Sequence, residues 1–349
     1  ITKMTHIMIV AEIGCNHNGD KNLAYRMIDE AVKCGVDAVK FQTFKASALI
    51  SKYAPKAEYQ KVTTGTDDSQ LEMTARLELG HDDMLELKAY AESKGLVVFS
   101  TPFDLGSVDF LESVGQRLWK IPSGEITNLP YLEKIGSIKC EGKKIILSTG
   151  MATIDEIKQC INILVKSGTD AKDIIILHCN TEYPTPDKDI NLTAINDLKK
   201  EFPKHQIGFS DHSVGYTAAT GAAVLGIVLI EKHFTLDKNL PGPDHKASAT
   251  PDELKQLVEN VRRIEVMTGS GRKYVTESER KNKIIARKSI VALNDIKKGE
   301  MFGPDNITCK RPGNGISPMK WYDIIGQIAE KDFKEDELIT HTGFEWQED

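Results

Sequence analysis

Apolar and polar positions alternate along the chain with two distinct periods. Short runs rich in Val, Ile and Phe occur at residues 7–14, 38–44, 96–101, 117–123, 144–150, 174–180, 206–212 and 227–235. Longer stretches, whose apolar residues return every three to four positions, lie among them at 23–34, 83–94, 155–166 and 192–202, and another follows the last run at 252–267. A strand signal followed by a helix signal, repeated, is the pattern of a parallel sheet covered by helices. Eight such strands in roughly 270 residues predict an α/β fold, a (β/α)8 TIM barrel over 1–269, with its functional groups at the C-terminal ends of the strands.

Two segments depart from that rhythm. Residues 45–80 interrupt it after the second strand, and a loop of that length in a compact domain is usually functional, so it is expected to form part of the rim over the site. Residues 270–283 are polar and heavily charged, as a linker or a last surface helix would be. Turn signals at Asn294-Asp295, Lys298-Gly299 and Pro312-Gly313-Asn314-Gly315 then divide 284–349 into short strand-like runs. This second domain, of about 65 residues, is small enough to be marginal on its own.

Barrel strands are buried on both faces, so polar residues inside them need a reason. Here they fall in pairs at alternate positions: Lys40 and Gln42, His178 and Asn180, Ser210 and His212, Glu231 and His233. Side chains alternate with period two, so each pair shares a face, and only the barrel lumen or its mouth can solvate such a set. Glu12, Thr101, Lys120, Ser123, Glu125 and Ser148 add groups from further strands. Any one of these reads readily as a separately satisfied buried group; the whole set reads as a site. Asp211 and Lys232, one position before the two histidines, should point outward and pair with each other, because an unpaired buried charge is costly.

Composition narrows the function. The six cysteines show no CxxC pair and no regular spacing, as expected of reduced thiols in a cytoplasmic enzyme. The apolar stretch at 7–11 ends at Glu12, too short for a secretory signal, and no apolar run approaches the roughly 20 residues of a membrane span. A net charge of −6 argues against nucleic acid as a partner.

His212 and His233 stand at equivalent points on neighbouring strands, beside Glu12, and two imidazoles in register can share a divalent ion whose other positions go to water and substrate oxygens. Lys40 and Lys120 with the hydroxyls of Ser123, Ser148 and Ser210 make a cationic, donor-rich cluster suited to a phosphate and a carboxylate. Buried lysines also suit Schiff-base chemistry, but that would leave the histidines idle. A metal-dependent barrel hydrolase usually gathers more ligands than this chain offers; a carbohydrate-binding protein is the non-enzymatic alternative.

The motifs AEIGCNHNGD (11–20), VKFQTFKA (39–46), FSTPFD (99–104), WKIPSGE (119–125), LSTGMAT (147–153), LHCNTEYPTP (177–186), GFSDHS (208–213), EKHFTLD (231–237), GPDHKAS (242–248) and KRPGNGIS (310–317), in this order, resemble the sialic acid synthase family. KFQTFKA with APKAEYQ (54–60) resembles its bacterial N-acetylneuraminate branch in particular.

The resemblance implies a transferase in which C3 of phosphoenolpyruvate attacks the open-chain aldehyde of N-acetylmannosamine. Water then adds at C2 and phosphate leaves by C–O cleavage, giving N-acetylneuraminate; a related nonulosonic acid such as legionaminic acid is the alternative product. Phosphate release from phosphoenolpyruvate would exclude the carbohydrate-binding alternative. It implies a manganese or magnesium ion on His212 and His233. Lys40, Lys120, Ser123, Ser148, Ser210 and Thr101, with Asn180 or Thr181, would hold phosphoenolpyruvate. Glu125 would direct the water, and Glu12, Gln42, Tyr183 and Asp244 would read the sugar. The C-terminal domain resembles type III antifreeze proteins (the SAF domain, of β-clip type), which implies a homodimer in which Arg311 reaches the partner's barrel and the sugar's N-acetyl group.

Overall fold

The computed structural model describes residues 6–65 and 67–344; the outer ends of the two expected domains, 1–5 and 345–349, lie outside them. The chain forms two compact units, Ile1–Ser270 and Gly271–Asp349.

The first unit holds eight strands: β1 (Met8–Gly14), β2 (Ala38–Thr43), β3 (Val97–Pro102), β4 (Leu118–Ile121), β5 (Lys144–Ser148), β6 (Ile174–His178), β7 (Gln206–Asp211) and β8 (Leu229–His233). Each hydrogen-bonded pair is parallel, in the order β3-β2-β1-β8-β7-β6-β5-β4. The seam between β3 and β4 is bridged by a side chain. The buried amide of Gln116, just before β4, accepts from Ser100 N at 2.8 Å and donates to Ser100 O at 2.9 Å, supplying the pair of bonds a ladder rung would make. The result is the TIM barrel expected from the sequence.

The covering helices follow local signals. Lys21–Cys34 starts at Asp20, whose side chain accepts from Asn22 N, and stops at Gly35, where φ is 78°. Thr153 and Thr250 open Ile154–Lys166 and Pro251–Met267 with capping boxes to Glu156 and Glu253. Thr217–Val224 is also helical, although TAATGAAV has too little contrast between apolar and polar residues to show a period. The 45–80 insert folds into three short helices, Ala46–Leu49, Glu58–Thr64 and Gln70–Ala75. Among the described residues, no helix is long and apolar enough to cross a membrane.

Two apolar cores result from the alternation of side chains. Ile9, Ala11, Ile13, Phe41, Ile145 and Leu147 face outward to the helices. Val10, Ala38, Phe99, Ile146, Ile175, Leu177 and Leu229 fill the lumen. Gly208 belongs to this floor: a Cβ there would meet Leu177 Cδ2 at 2.5 Å and Leu229 O at 2.8 Å, so only glycine leaves the floor closed. On β6 the inward parity is therefore 175, 177 and 179, which corrects the expectation for His178 and Asn180. His178 turns outward, packs against Phe209 and meets Ile190 O at 2.8 Å through Nε2. Cys179 is the inward residue, with Sγ 3.3 Å from Ser123 Oγ.

The second unit contains the helix Glu277–Ala286 and an antiparallel pair, β9 (Ser289–Ala292) and β10 (Ile307–Lys310). Its own core includes Ile290, Ile296, Phe302, Ile307, Ile324 and Phe333.

Asp211 and Lys232 form the expected pair, with Lys232 Nζ 3.0 Å from Asp211 Oδ2 and both side chains almost completely buried. Asp211 Oδ1 accepts from the N–H and hydroxyl of Ser213, at 2.9 and 2.6 Å, and Lys232 donates to Ser213 O at 2.5 Å. The bridge ties β7 to β8 directly behind the two histidines. Asp211→Asn or Lys232→Met should each lower the barrel's unfolding free energy by about 3–5 kcal/mol, because each leaves a buried partner unpaired. The double variant should lose much less than the sum in denaturant titrations, and strict additivity would show that the two charges do not depend on each other.

Candidate active site

Above the apolar floor the lumen becomes polar in one step. A cavity of about 190 Å³ is lined by Glu12 from β1, Lys40 and Gln42 from β2, Thr101 from β3, Lys120 from β4, Ser148 from β5 and Glu231 and His233 from β8. Ser210 and His212 come from β7 and the position after it, and Phe103, Ser123, Thr181 and Tyr183 from the loops. Seven of the eight strands thus send a polar side chain into one space.

Four charged groups define its base. Lys40 Nζ lies 2.7 Å from Glu12 Oε2 and 3.8 Å from Glu231 Oε1, and donates to Thr101 Oγ1 at 2.8 Å. Lys120 Nζ lies 3.6 Å from Glu231 Oε1, which also accepts from Ser210 Oγ at 3.2 Å. Gln42 Nε2 donates to Glu12 Oε1 at 3.0 Å. Burial pushes the Glu12 carboxyl up to about 7, against the pull of Lys40. Burial acts on Glu231 too, but Lys120, Lys40 and His212 together outweigh it and hold that carboxyl below its ordinary range. Burial lowers Lys120. Among the described residues Glu231 Oε2 is buried without a hydrogen-bond partner, so the base presents lone pairs that a ligand or water can satisfy.

The histidines sit higher, with ring centroids 5.3 Å apart and planes at 68°. Burial lowers His212 to about 4 and His233 well below its ordinary value, so both imidazoles are neutral near pH 7. His212 Nδ1 meets the carbonyl of Asn180, which accepts its proton and so leaves the Nε2 lone pair toward the cavity. Tyr183 stacks on His212 at 4.1 Å with its hydroxyl 3.1 Å from Nε2. Among the described residues His233 Nδ1 is buried with no hydrogen-bond partner. Among the described residues no group of three or more His, Cys, Asp or Glu side chains could hold a metal ion. The donors fit a divalent ion only as a two-imidazole site that takes its other ligands from water and substrate.

Asp244 lines an adjoining cavity, accepts from Cys15 Sγ at 3.5 Å, and is raised to about 6 by burial. Asn16 fixes its loop by donating to Phe234 O and Ser248 Oγ, both at 2.8 Å, and Ser248 donates on to Asp244 O at 2.7 Å.

Three of the candidate site residues lie elsewhere. Glu125 sits on the rim outside the lining, where Oε2 accepts from Asn128 Nδ2 at 2.6 Å. The side chain of Asn180 accepts from Glu182 N and reaches Asp189 O, so Thr181 is the member of that dipeptide that faces the cavity. Arg311 belongs to the second unit and donates through Nε to Ala286 O at 3.0 Å. Glu231 was visible as a partner of His233 in parity yet was not assigned a place in the site. Cys15 and Tyr59, which line the adjoining cavity, carry no such signal.

The NeuB family profile matches residues 27–273, and that of the SAF domain residues 287–345. The N,N'-diacetyllegionaminic acid synthase of Campylobacter jejuni is 52% identical over 96% of this chain and 99% of its own. The N-acetylneuraminate-9-phosphate synthase of Homo sapiens is 35% identical over 95% and 90%. Among solved structures, the N-acetylneuraminic acid synthetase of Leptospira borgpetersenii, in complex with citrate, has a TM-score of 0.69 at 34% identity, covering 80% of this chain and 90% of that one.

A carboxyl raised from 4.5 to about 7 on folding binds its proton more tightly in the native state. Its contribution is therefore full below the unfolded value and is lost as pH rises through the folded one. The unfolding free energy of the metal-free protein, minus that of Glu12→Gln, should fall between about pH 4.5 and 7 by no more than about 1.4 kcal/mol per pH unit. A flat difference across that window would show that Glu12 keeps an ordinary carboxyl.

Proposed function

The chain belongs to the NeuB family, and on that footing we propose that it condenses phosphoenolpyruvate with an N-acetylated amino sugar to form a nonulosonic acid, specifically N,N'-diacetyllegionaminic acid. The observation that carries the product is the 52% identity, over nearly the full length of both chains, to a synthase of that name. The motifs alone favour N-acetylneuraminate, and the weaker likeness, at 34% identity, to the N-acetylneuraminic acid synthetase makes that product the second choice.

The chemistry maps onto the base and mouth of the cavity. C3 of phosphoenolpyruvate forms a bond to the aldehyde carbon of the open-chain sugar, the aldehyde oxygen takes a proton, and water adds to C2 as the C2–O bond to phosphate breaks. Lys40 and Lys120, with Thr101, Ser123, Ser148, Thr181 and Ser210, bind the carboxylate and phosphate; both lysines are almost completely buried, so each charge-assisted bond counts for more than it would at the surface. Glu231 keeps the two ammonium groups apart and oriented. Glu12, with a carboxyl near neutrality, holds the proton that the aldehyde oxygen requires. Gln42, Tyr183 and Asp244 bind the sugar, and Glu125 on the rim steers the attacking water. A manganese or magnesium ion held by His212 and His233 would supply Lewis acidity toward the aldehyde oxygen.

The test is phosphate release from phosphoenolpyruvate with 2,4-diacetamido-2,4,6-trideoxymannose, N-acetylmannosamine and N-acetylmannosamine 6-phosphate supplied separately. kcat/KM should be highest for the diacetamido sugar by at least about tenfold. A preference for N-acetylmannosamine would remove the product assignment and leave the mechanism standing. Exhaustive removal of metal, His212→Ala or His233→Ala should each abolish most turnover, and full activity without metal would end the role given to the ion.

We also propose that the protein works as a homodimer in which Arg311 completes the partner's site. His212→Ala and Arg311→Ala subunits, unfolded and reassembled together, would form half heterodimers, each with one intact site. Activity should return to about a quarter of wild type. No recovery despite proven subunit exchange would place Arg311 in cis or outside the site.

A further inference from the structure

A second cavity, of about 220 Å³, opens beside the first and shares Gln42, Phe103, Tyr183 and His233 with it. Its far wall comes from the 45–80 insert: Leu49, Tyr59, Met73 and Leu77 face Phe44 and Phe103. Phe44, Met73 and Leu77 are buried, the rings of Phe44 and Phe103 meet edge to face at 6.3 Å, and the ring of Tyr59 lies 5.4 Å from that of Tyr183. The wall is thus continuous with the ring that stacks on His212. Besides the shared Gln42, Tyr183 and His233, its polar members are Cys15, the Tyr59 hydroxyl, Gln60, Gln70, Thr74 and Asp244. Among the described residues no lysine or arginine lines it.

Whatever enters from the reaction centre is the end of the sugar remote from its aldehyde, C4 to C6. A tail carrying a hydroxyl on each of C4, C5 and C6 would give up water on every side, and those hydroxyls that face Phe44, Leu49, Met73 and Leu77 rather than the glutamines, Thr74 or Asp244 would lose a partner. A phosphorylated tail would meet no lysine or arginine side chain of the described lining and would face the Asp244 carboxyl. A tail with a methyl group at C6 and an acetamido group at C4 offers two methyls to the apolar wall and one amide to side chains that can both donate and accept. We infer that this cavity is the specificity site for the C4–C6 end of the sugar, built for a deoxy, acylamino sugar and closed to hydroxylated or phosphorylated ones. The inference rests on the synthase reading and deepens it, since the insert residues, rather than the catalytic layer, then select the product.

Met73→Gln conserves volume but places an amide in the apolar wall, and Leu49→Gln does the same at a half-exposed position that carries little of the core. The two variants, wild type and the conservative Met73→Leu are to be assayed with phosphoenolpyruvate and 2,4-diacetamido-2,4,6-trideoxymannose, N-acetyl-6-deoxymannosamine or N-acetylmannosamine. In each glutamine variant the kcat/KM ratio of the diacetamido sugar to N-acetylmannosamine should fall by roughly tenfold, with KM for phosphoenolpyruvate unchanged. Met73→Leu should keep the wild-type ratio. N-acetyl-6-deoxymannosamine should fall between the other two sugars. An unchanged ratio in both glutamine variants, or an equal fall in Met73→Leu, would overturn the assignment of the cavity while turnover itself upholds the synthase. No phosphate release with any of the three sugars would overturn both.

Discussion

The structure turns on four charges placed inside a barrel. Glu12, Lys40, Lys120 and Glu231 share the lumen directly above a floor of Val10, Ala38, Phe99 and Leu177, where no single charge would be stable alone. They are tolerated because two carboxyls face two ammonium groups and because hydroxyls from Thr101 and Ser210 complete the nearest bonds. The balance is nonetheless uneven. Lys40 is closely paired with Glu12 at 2.7 Å, but Lys120 comes no nearer than 3.6 Å to Glu231 Oε1, and among the described residues the buried Glu231 Oε2 has no hydrogen-bond partner. Such a layer is stable enough to fold and unsatisfied enough to bind, which is what a preorganised anion site requires.

That layer explains the supporting features around it. The floor must be dry, hence the glycine at 208. The walls must hold register to a fraction of a residue, and the buried bridge between Asp211 and Lys232 pins the two strands that carry Ser210, His212, Glu231 and His233. The aromatic stack of Tyr59, Tyr183 and His212 then joins the charged layer to the insert, and under the proposed function it links the groups that would do the chemistry to those that would select the sugar.

Much of this was legible before any coordinates. Strands buried on both faces expose their polar residues as anomalies, and the parity of Lys40 with Gln42, of Ser210 with His212 and of Glu231 with His233 pointed to one lumen. The same argument failed on β6, because His178 and Asn180 are polar but out of phase; only the packing of Leu177 over Gly208 shows which face is inward. The closure of the barrel by the side chain of Gln116 left no trace in the periodicity, since it replaces a backbone rung by one amide. Tyr59 and Met73 were equally hidden, because an insert of three short helices takes its place in the site from tertiary contacts and not from its own pattern.

The central claim is that the buried lysines hold phosphoenolpyruvate while its C2–O bond, and not its P–O bond, is broken. Phosphoenolpyruvate labelled with 18O at the oxygen joining C2 to phosphorus decides it directly. Turned over with 2,4-diacetamido-2,4,6-trideoxymannose in unlabelled water, it should place the label in the released phosphate and none in the sugar acid. Label retained at C2 of the product, with unlabelled phosphate, would contradict the account.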